Sequence, residues 1–196
     1  YFGLETNDTI ATNAKNKKEY DYTDELGNEY TSSYQGQAGL TLSFGDKLIL
    51  ALRKGDIKLA FSGEMPADSK ILITRNLKQR AKNAMPYLSY DDEPYTVVTN
   101  DGKIKWVLDA YTISSNYPYS QYTNIEYNNK KQKINYIKNS IKVIIDAYDG
   151  TIDYYITDKT DPIAMAYNNT YKNLFKEEIP EDIASHLTYP KYLYKV

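Results

Sequence analysis

The sequence contains no cysteine and a single histidine, His186. The first absence removes disulfides, thiol nucleophiles and cysteine-based zinc sites. The second removes metal sites that need two imidazoles and leaves a Ser–His–Asp triad dependent on one residue near the chain end, beside Ser185, where a surface or packing role is the simpler reading. Arginine is scarce, three residues against 21 lysines, and the 24 basic residues are balanced by 26 acidic ones. A net charge of −2 argues against a general nucleic-acid binder, which carries a basic stripe. No apolar run approaches the ~20 residues that span a bilayer as a helix. No glycine-rich phosphate loop follows a strand-like segment. The chain opens Tyr1-Phe2-Gly3 without methionine, which reads as a processed product or excised fragment.

Tyrosine, by contrast, is abundant: 22 of 196 residues, against four phenylalanines. High Tyr, Asn, Ile and Lys with little Arg fits either an AT-rich genome or selection for an aromatic surface. At this length a chain buries roughly 70% of its unfolded surface and folds without staples, so one domain over 1–196 is expected.

The first forty residues are polar, with short extended pieces at Thr9–Ala11, Tyr20–Tyr22 and Glu29–Ser32 and a lysine-rich loop at 15–18. Ser43 and Asp46 form a capping-box pattern, Phe44, Leu48, Ala51 and Leu52 an apolar helical stripe, and Gly55 a stop. A second helix is expected from Asp68 to Ala84, with a stripe of Ile73, Leu77, Ala81 and Ala84 and a basic remainder of Arg75, Lys78, Arg80 and Lys82. That basic face is either solvated or an anion contact. The period then drops to two. Asp101-Gly102 and Asp149-Gly150 are hairpin signals because both positions of such a turn favour positive φ. The expected fold is α+β: an antiparallel sheet built around these two Asp-Gly hairpins and N-terminal edge strands. Both helices pack on its Ile104/Trp106/Leu108 and Ile141/Val143/Ile145 face.

An internal repeat runs through these strands. Ile104-Lys-Trp-Val-Leu-Asp-Ala-Tyr111 aligns with Ile141-Lys-Val-Ile-Ile-Asp-Ala-Tyr148 at an offset of 37 residues. It occupies the second arm of one hairpin and the first arm of the other, so duplication of a hairpin does not account for it. Asp109 and Asp146 fall at the same place in the two copies. If the strands are neighbours, the carboxylates come to ~5 Å and suit acid–base catalysis or a cation. The plainer reading places each near a strand end, accepting from loop amides. Asp91-Asp92-Glu93 is the densest acidic run and reads as a turn; no metal site and no cofactor is expected.

Between the repeats, Thr112–Asn135 is too long for an ordinary loop and too rich in Asn and Pro for a regular element. Its Tyr117, Tyr119, Tyr122 and Tyr127, with Tyr111 and Tyr148, form an expected aromatic ligand-binding surface, since tyrosine pairs a large apolar face with a polar tip. The alternative is that they fold back as packing. Asp161-Pro162 reads as the cap and first residue of a helix reaching Phe175, followed by a turn near Pro180 and an extended Tyr189–Tyr194 tail.

Several strings occur together: Tyr1-Phe2-Gly3, Ala51-Leu-Arg-Lys-Gly-Asp56, Leu88-Ser-Tyr-Asp91 with Pro94-Tyr95, and Asp109-Ala-Tyr-Thr112 with Tyr117-Pro-Tyr-Ser120. To these are added Asn135-Tyr-Ile-Lys-Asn-Ser140 running into Asp146-Ala-Tyr-Asp-Gly150, then Asp161-Pro162 and Tyr189-Pro190. Over nearly the whole chain they resemble uncharacterised protein family 0182, large bacterial multi-pass membrane proteins. The resemblance implies that the chain is part of an extracytoplasmic region and stops short of its end. It carries no catalytic residues, and Lys here often replaces the family's Arg. Two functions are therefore expected. One is a sensing, scaffold or binding module partnered by the rest of the membrane protein or by a cell-envelope polymer or protein. The other is an envelope hydrolase using Asp109 and Asp146.

Overall fold

The computed structural model describes residues 1–4, 7–15, 18–41, 43–55, 66, 69–127 and 130–195. It is α+β; its named strands pair antiparallel, and an isolated parallel bridge joins Tyr155 and Lys176. The chain divides into two compact units, Glu5–Asn76 and Tyr1–Leu4 with Leu77–Val196.

In the Glu5–Asn76 unit, β1 (Thr9–Ala11) pairs with β4 (Ile71–Ile73), and β2 (Glu19–Thr23) with β3 (Glu29–Ser32). These strands form separate two-stranded ribbons and none is an edge of the main sheet. The helix α1 (Phe44–Lys54) is capped as its sequence dictates. Ser43 Oγ accepts from the Asp46 amide, the Asp46 carboxylate accepts from the Ser43 amide at 3.1 Å, and Gly55 ends the helix at φ 70. The expected helix from Asp68 to Ala84 is instead strand β4 followed by helix α2 (Leu77–Ala84); Asp68 itself lies outside the described residues. The β-branched Ile71 and Ile73 suit the ladder with β1, and Thr74 at φ 52 breaks any helical run before Leu77.

The larger unit is built on a five-stranded sheet. β11 (Ile152–Ile156), β10 (Tyr136–Asp146) and β7 (Ile104–Ser114) lie in that order, and the far edge of β7 is shared by β5 (Ser89–Tyr90) and β6 (Tyr95–Val98). Between β6 and β7 the Gly102 amide donates to Thr99 O, and only Gly102 is left-handed, at φ 78. Between β10 and β11 only Gly150 is, at φ 68. Asp101 and Asp149 keep negative φ, so neither turn carries the two consecutive left-handed residues anticipated for it.

Both faces of this sheet are covered. Val107, Leu108, Ile141, Val143 and Ile145 are fully buried, as central strands require. On the Leu108/Val143 face, the Tyr90 and Tyr154 hydroxyls donate to Ala81 O at 3.1 and 2.8 Å, tying α2 down. Trp106 is half-buried there, its Nε1 donating to Phe2 O at 3.2 Å. α2 takes up the anticipated position on this face; α1 belongs to the other unit, and Phe44, Leu48 and Leu52 of its stripe are exposed. On the opposite face Val97, Val107, Ile144 and Tyr155 pack with Ile183 of the short helix α4 (Glu181–Ala184). The tail beyond is not extended: Lys191–Lys195 is a 3-10 turn.

The Thr112–Asn135 connection is largely regular. β7 runs on to Ser114, and β8 (Thr123–Tyr127) pairs with β9 (Lys130–Ile134) in a hairpin whose Ile125 and Ile134 are buried. Alternation of Ile125 with polar neighbours is the signal that the asparagines obscured. The helix α3 (Pro162–Thr170) starts at Asp161 as expected and ends five residues before Phe175.

Candidate functional site

The two repeat copies are each other's partners. β7 and β10 pair so that Ile141 faces Ala110, Lys142 faces Asp109, Val143 faces Leu108, Ile144 faces Val107, Ile145 faces Trp106 and Asp146 faces Lys105. The eight-residue motif therefore pairs antiparallel with itself about a local pseudo-twofold at Val107 and Ile144. Motif position two (Lys) meets position six (Asp) twice. This explains why those residue types recur although the copies are opposite arms of different hairpins.

The register also decides the fate of the two carboxylates. Asp109 and Asp146 share a sheet face, but each stands opposite a lysine. They are separated by four residues of β10 register, about 13 Å. Paired catalytic carboxylates of glycosidases stand roughly 5–9.5 Å apart. Lys142 Nζ donates to Asp109 Oδ1 within a pair whose side chains are both 7% exposed. Lys105 Nζ donates to Asp146 Oδ2 at 2.6 Å. Asp146 Oδ1 also accepts from the Tyr148 and Asp149 amides at 2.7 and 3.0 Å, so it organises the turn after β10. Burial pushes the Asp109 carboxyl up, against the pull of Lys142 and Asn139, with Asp91 adding to the rise. At Asp146 burial also pushes up, but Lys105 and the two amides together hold it below the ordinary value.

Beside Asp109 lies Asp91, whose amide donates to Asp109 O at 2.9 Å and whose Oδ2 accepts from the Tyr111 hydroxyl at 2.6 Å. Burial and Asp91 push the Tyr111 phenol far up. Tyr111 is 1% exposed, with Tyr192 tilted against it at 5.6 Å, so it is not part of any aromatic surface. The C-terminal segment closes over this cluster: Lys142 Nζ also reaches Thr188 O at 3.4 Å, and Tyr192 donates to Glu126 O at 3.1 Å. The rest of the acidic run is engaged too, Asp92 by Lys78 and Glu93 by Lys191. Arg80 lies over the Phe2 ring and donates to Gly150 O at 2.7 Å, so α2's basic side is partly structural. His186 is exposed just after α4.

A second construction is centred on Asp161, a fully buried carboxylate absent from the sequence-based candidates. It caps α3, accepting from the Ile163 and Ala164 amides at 2.9 and 3.3 Å. It also accepts from the hydroxyls of Thr112 (2.5 Å), Tyr136 (2.9 Å) and Ser140. Ser140 reaches it because the β7–β10 register slips between Lys138 and Ile141, a bulge that re-aims side chains. The Asp161-Pro162 pair signalled the cap but not the three hydroxyls, which come from strands 21 to 49 residues away.

From Tyr136 this network reaches the surface. The Tyr117 ring stacks on the Tyr136 ring at 4.4 Å. Asn135 grips the Tyr117 backbone from both sides, Oδ1 accepting from its amide at 2.9 Å and Nδ2 donating to its carbonyl at 2.7 Å. The loop 115–122 thus leaves a fixed base. At its tip Tyr119 is fully solvent-exposed and left-handed, at φ 58. Tyr122 is exposed with Lys133 Nζ 4.5 Å from its ring centroid. Tyr148 is exposed at the opposite end of β10, edge-on to Tyr1. The side chain of Tyr127 lies outside the described residues. Tyr117, Tyr119 and Tyr122 thus share one loop, whereas Tyr111 and Tyr148 lie elsewhere. Among the described residues no group of three or more His, Asp or Glu side chains is placed to hold a metal. No helix among them is long and apolar enough to cross a membrane.

The sheet with its cross-strand Lys–Asp pairs and the clamped loop define an α+β fold. The chain belongs to the Uncharacterised protein family (UPF0182), whose model matches residues 1–196. It is 46% identical over its full length to a UPF0182 protein of Clostridium botulinum strain Hall and 44% to one of Clostridium tetani. Over 97% of its length it is 42% identical to one of Clostridium novyi. It spans about one fifth of each relative, 21%, 21% and 20% respectively. No solved structure matches it.

Proposed function

We propose that the chain is a non-enzymatic module on the extracytoplasmic face of a bacterial integral membrane protein, and that its 115–122 loop holds another part of the same protein. The observation that carries this reading is the exposure of Tyr119 on a loop whose base is fixed by Asn135 and by the Tyr117–Tyr136 stack. Ordering such a loop costs conformational entropy, and a left-handed non-glycine tip adds to that cost. Rigid aromatic side chains presented this way suit half-wet contact surfaces. With about four fifths of each relative's length lying beyond the matched region, the same polypeptide supplies a large partner. The hydrolase alternative gains no support, because Asp109 and Asp146 are apart and each engaged by a lysine.

The test uses the full-length protein in its membrane with a photo-crosslinking residue at position 119 or 122. Adducts to the remainder of the same chain are the expected result. Adducts only to envelope polymer identify a saccharide surface instead, and no adducts at either position remove the reading. The topological part is tested separately. Cysteine is absent from this chain, so a Tyr122→Cys variant, compared with its parent, should react with a membrane-impermeant maleimide on intact cells.

A further inference from the structure

Lys142 and Asp109 stand in the middle of a row of side chains that crosses the large sheet on one face. The register sets Tyr155 of β11 opposite Lys142, and Lys142 opposite Asp109. Asp91, directly after β5, comes next, its amide donating to Asp109 O at 2.9 Å. Directly opposite residues share a face with Cβ atoms about 5 Å apart, so a second carboxylate stands beside the one that Lys142 grips. Its position is fixed: Oδ2 accepts from the Tyr111 hydroxyl at 2.6 Å and Oδ1 from the Glu93 amide at 3.0 Å. Water is kept away. Asp91, Asp109 and Lys142 are all buried. The next residues along the same face of β7 and β10, Val107 and Ile144, pack with Tyr155 and Ile183.

We infer that Lys142 and Asp109 condense to a side-chain amide, a covalent staple between β7 and β10. The bond that forms is Lys142 Nζ to Asp109 Cγ, and the bond that breaks is one Cγ–Oδ bond. Of the three ammonium protons, one stays on the amide nitrogen and two leave with the oxygen as water. Ion pair and amide plus water therefore balance without oxidant, reductant or co-reactant. Three features suit the pair to this step. Keeping two charges out of water is costly, and condensation removes both. Burial, and further Asp91, push the Asp109 carboxyl up against the pull of Lys142, toward the neutral acid that an amine attacks. Asp91 has lone pairs beyond those its two donors use, and it stands where a proton passes from the nitrogen to the leaving oxygen. Before condensation the two side chains are an ion pair. Afterwards the amide closes a span of 33 residues that includes the 115–122 loop, in a chain with no cysteine for a disulfide. The inference does not depend on the tyrosine-loop reading.

The repeat supplies an internal control. Lys105 and Asp146 are the same residue types on the same face, yet they should stay an ion pair. The Lys105 side chain is 23% exposed, and the residue opposite it on β6 is Val97 rather than an acid. Although burial pushes the Asp146 carboxyl up, Lys105 and the Asp149 and Tyr148 amides hold it below the ordinary value, so it remains a carboxylate.

The test takes the full-length protein from its membrane, denatures it and digests it with trypsin. Peptides 106–130 and 139–159 should travel as one species, about 18 Da lighter than their sum, with Lys142 uncleaved and fragmentation placing the bond between positions 109 and 142. Lys105 should be cleaved and unlinked. Dehydration at Asp149-Gly150 gives the same mass loss but leaves Lys142 cleavable, so the two are told apart. Lys142→Arg, which keeps the charge, should abolish the linked species, and Lys105→Arg should leave it unchanged. In pulse-labelled protein, Asp91→Asn should slow its appearance roughly tenfold or more. Separate peptides with Lys142 fully cleaved in the wild-type protein overturn the inference, a result that needs no variant to fold. Linkage of Lys105 to Asp146 in equal yield overturns the argument from burial and the neighbouring acid, and an unchanged rate in Asp91→Asn overturns the role given to Asp91.

Discussion

Lys142 and Asp109 face each other across the centre of the sheet, and the same two residue types face each other again as Lys105 and Asp146. The two pairs differ in burial. Lys142 and Asp109 are both nearly inaccessible, whereas Lys105 is 23% exposed. A buried pair has to offset a large desolvation cost, so its members are worth most as partners and least alone.

Removing one partner of the inner pair should therefore be severe. Lys142→Met leaves the Asp109 carboxyl buried without its cation and should cost about 3–5 kcal/mol in urea denaturation. Adding Asp109→Leu should recover much of that loss. At the outer pair, Lys105→Met should cost less, about 1 kcal/mol, because water reaches that lysine. Equal costs at the two sites would contradict the burial difference.

Asp161 offers a sharper case. A side chain accepting from two helix amides and three hydroxyls joins α3, β7 and β10 at one point. Asp161→Ala strands several buried donors at once and should cost about 3–5 kcal/mol. Tyr136 supplies an independent readout. Burial, then Asp161, pushes its phenol well above the ordinary tyrosine value. In Asp161→Asn the Tyr136 ionisation should move down in a spectrophotometric titration; an unmoved titration would sink the assignment.

What the sequence made legible followed local physics. The α1 cap needs only Ser43, Asp46 and Gly55, the α3 start only Asp161-Pro162, and β1 and β3 follow from short extended pieces set between turn residues. What it hid was pairing. Nothing in the Lys-x-x-x-Asp spacing says whether Asp109 meets Asp146 or Lys142. That depends on two strands running antiparallel with Val107 opposite Ile144. The misread 68–84 segment is similar. Ile73, Leu77, Ala81 and Ala84 satisfy a helical period, yet β1 supplies a ladder for Ile71–Ile73, and long-range pairing outweighs the local period. Tyr111 looked like a surface tyrosine because the residue that covers it, Tyr192, is 81 positions away.

Acid should loosen the joint between β10 and the β11–α3 connection. Asp158 is held at about 2 by Lys138, by the Thr160 hydroxyl at 2.6 Å and by the Thr160 amide. Its folded value lies below its unfolded one, so its contribution is present above the ordinary carboxylate range and is lost as pH falls toward 2. The depressed Asp146 acts in the same sense. The raised Asp109 acts in the opposite sense, favouring the fold where it is protonated. Denaturation midpoints of Asp158→Asn should fall less steeply than wild type between about pH 4 and pH 2. Parallel slopes would rule Asp158 out as a contributor.

Tyr119 separates stability from recognition. Its side chain makes no burial contribution, and its left-handed backbone is one that glycine adopts without a Cβ penalty. Tyr119→Gly should therefore leave stability unchanged or raise it by about 0.5–1 kcal/mol. Asn135→Ala should act differently. It removes the two bonds that grip Tyr117, so it should cost about 1–3 kcal/mol and weaken the Tyr117–Tyr136 stack. If the loop is a recognition element, both variants should reduce photo-crosslinking from position 122 in the full-length protein, one by deleting a contact and the other by loosening its base. If crosslinking survives Tyr119→Gly at full yield, the tip is not the contact, and the left-handed tyrosine has only a local conformational role.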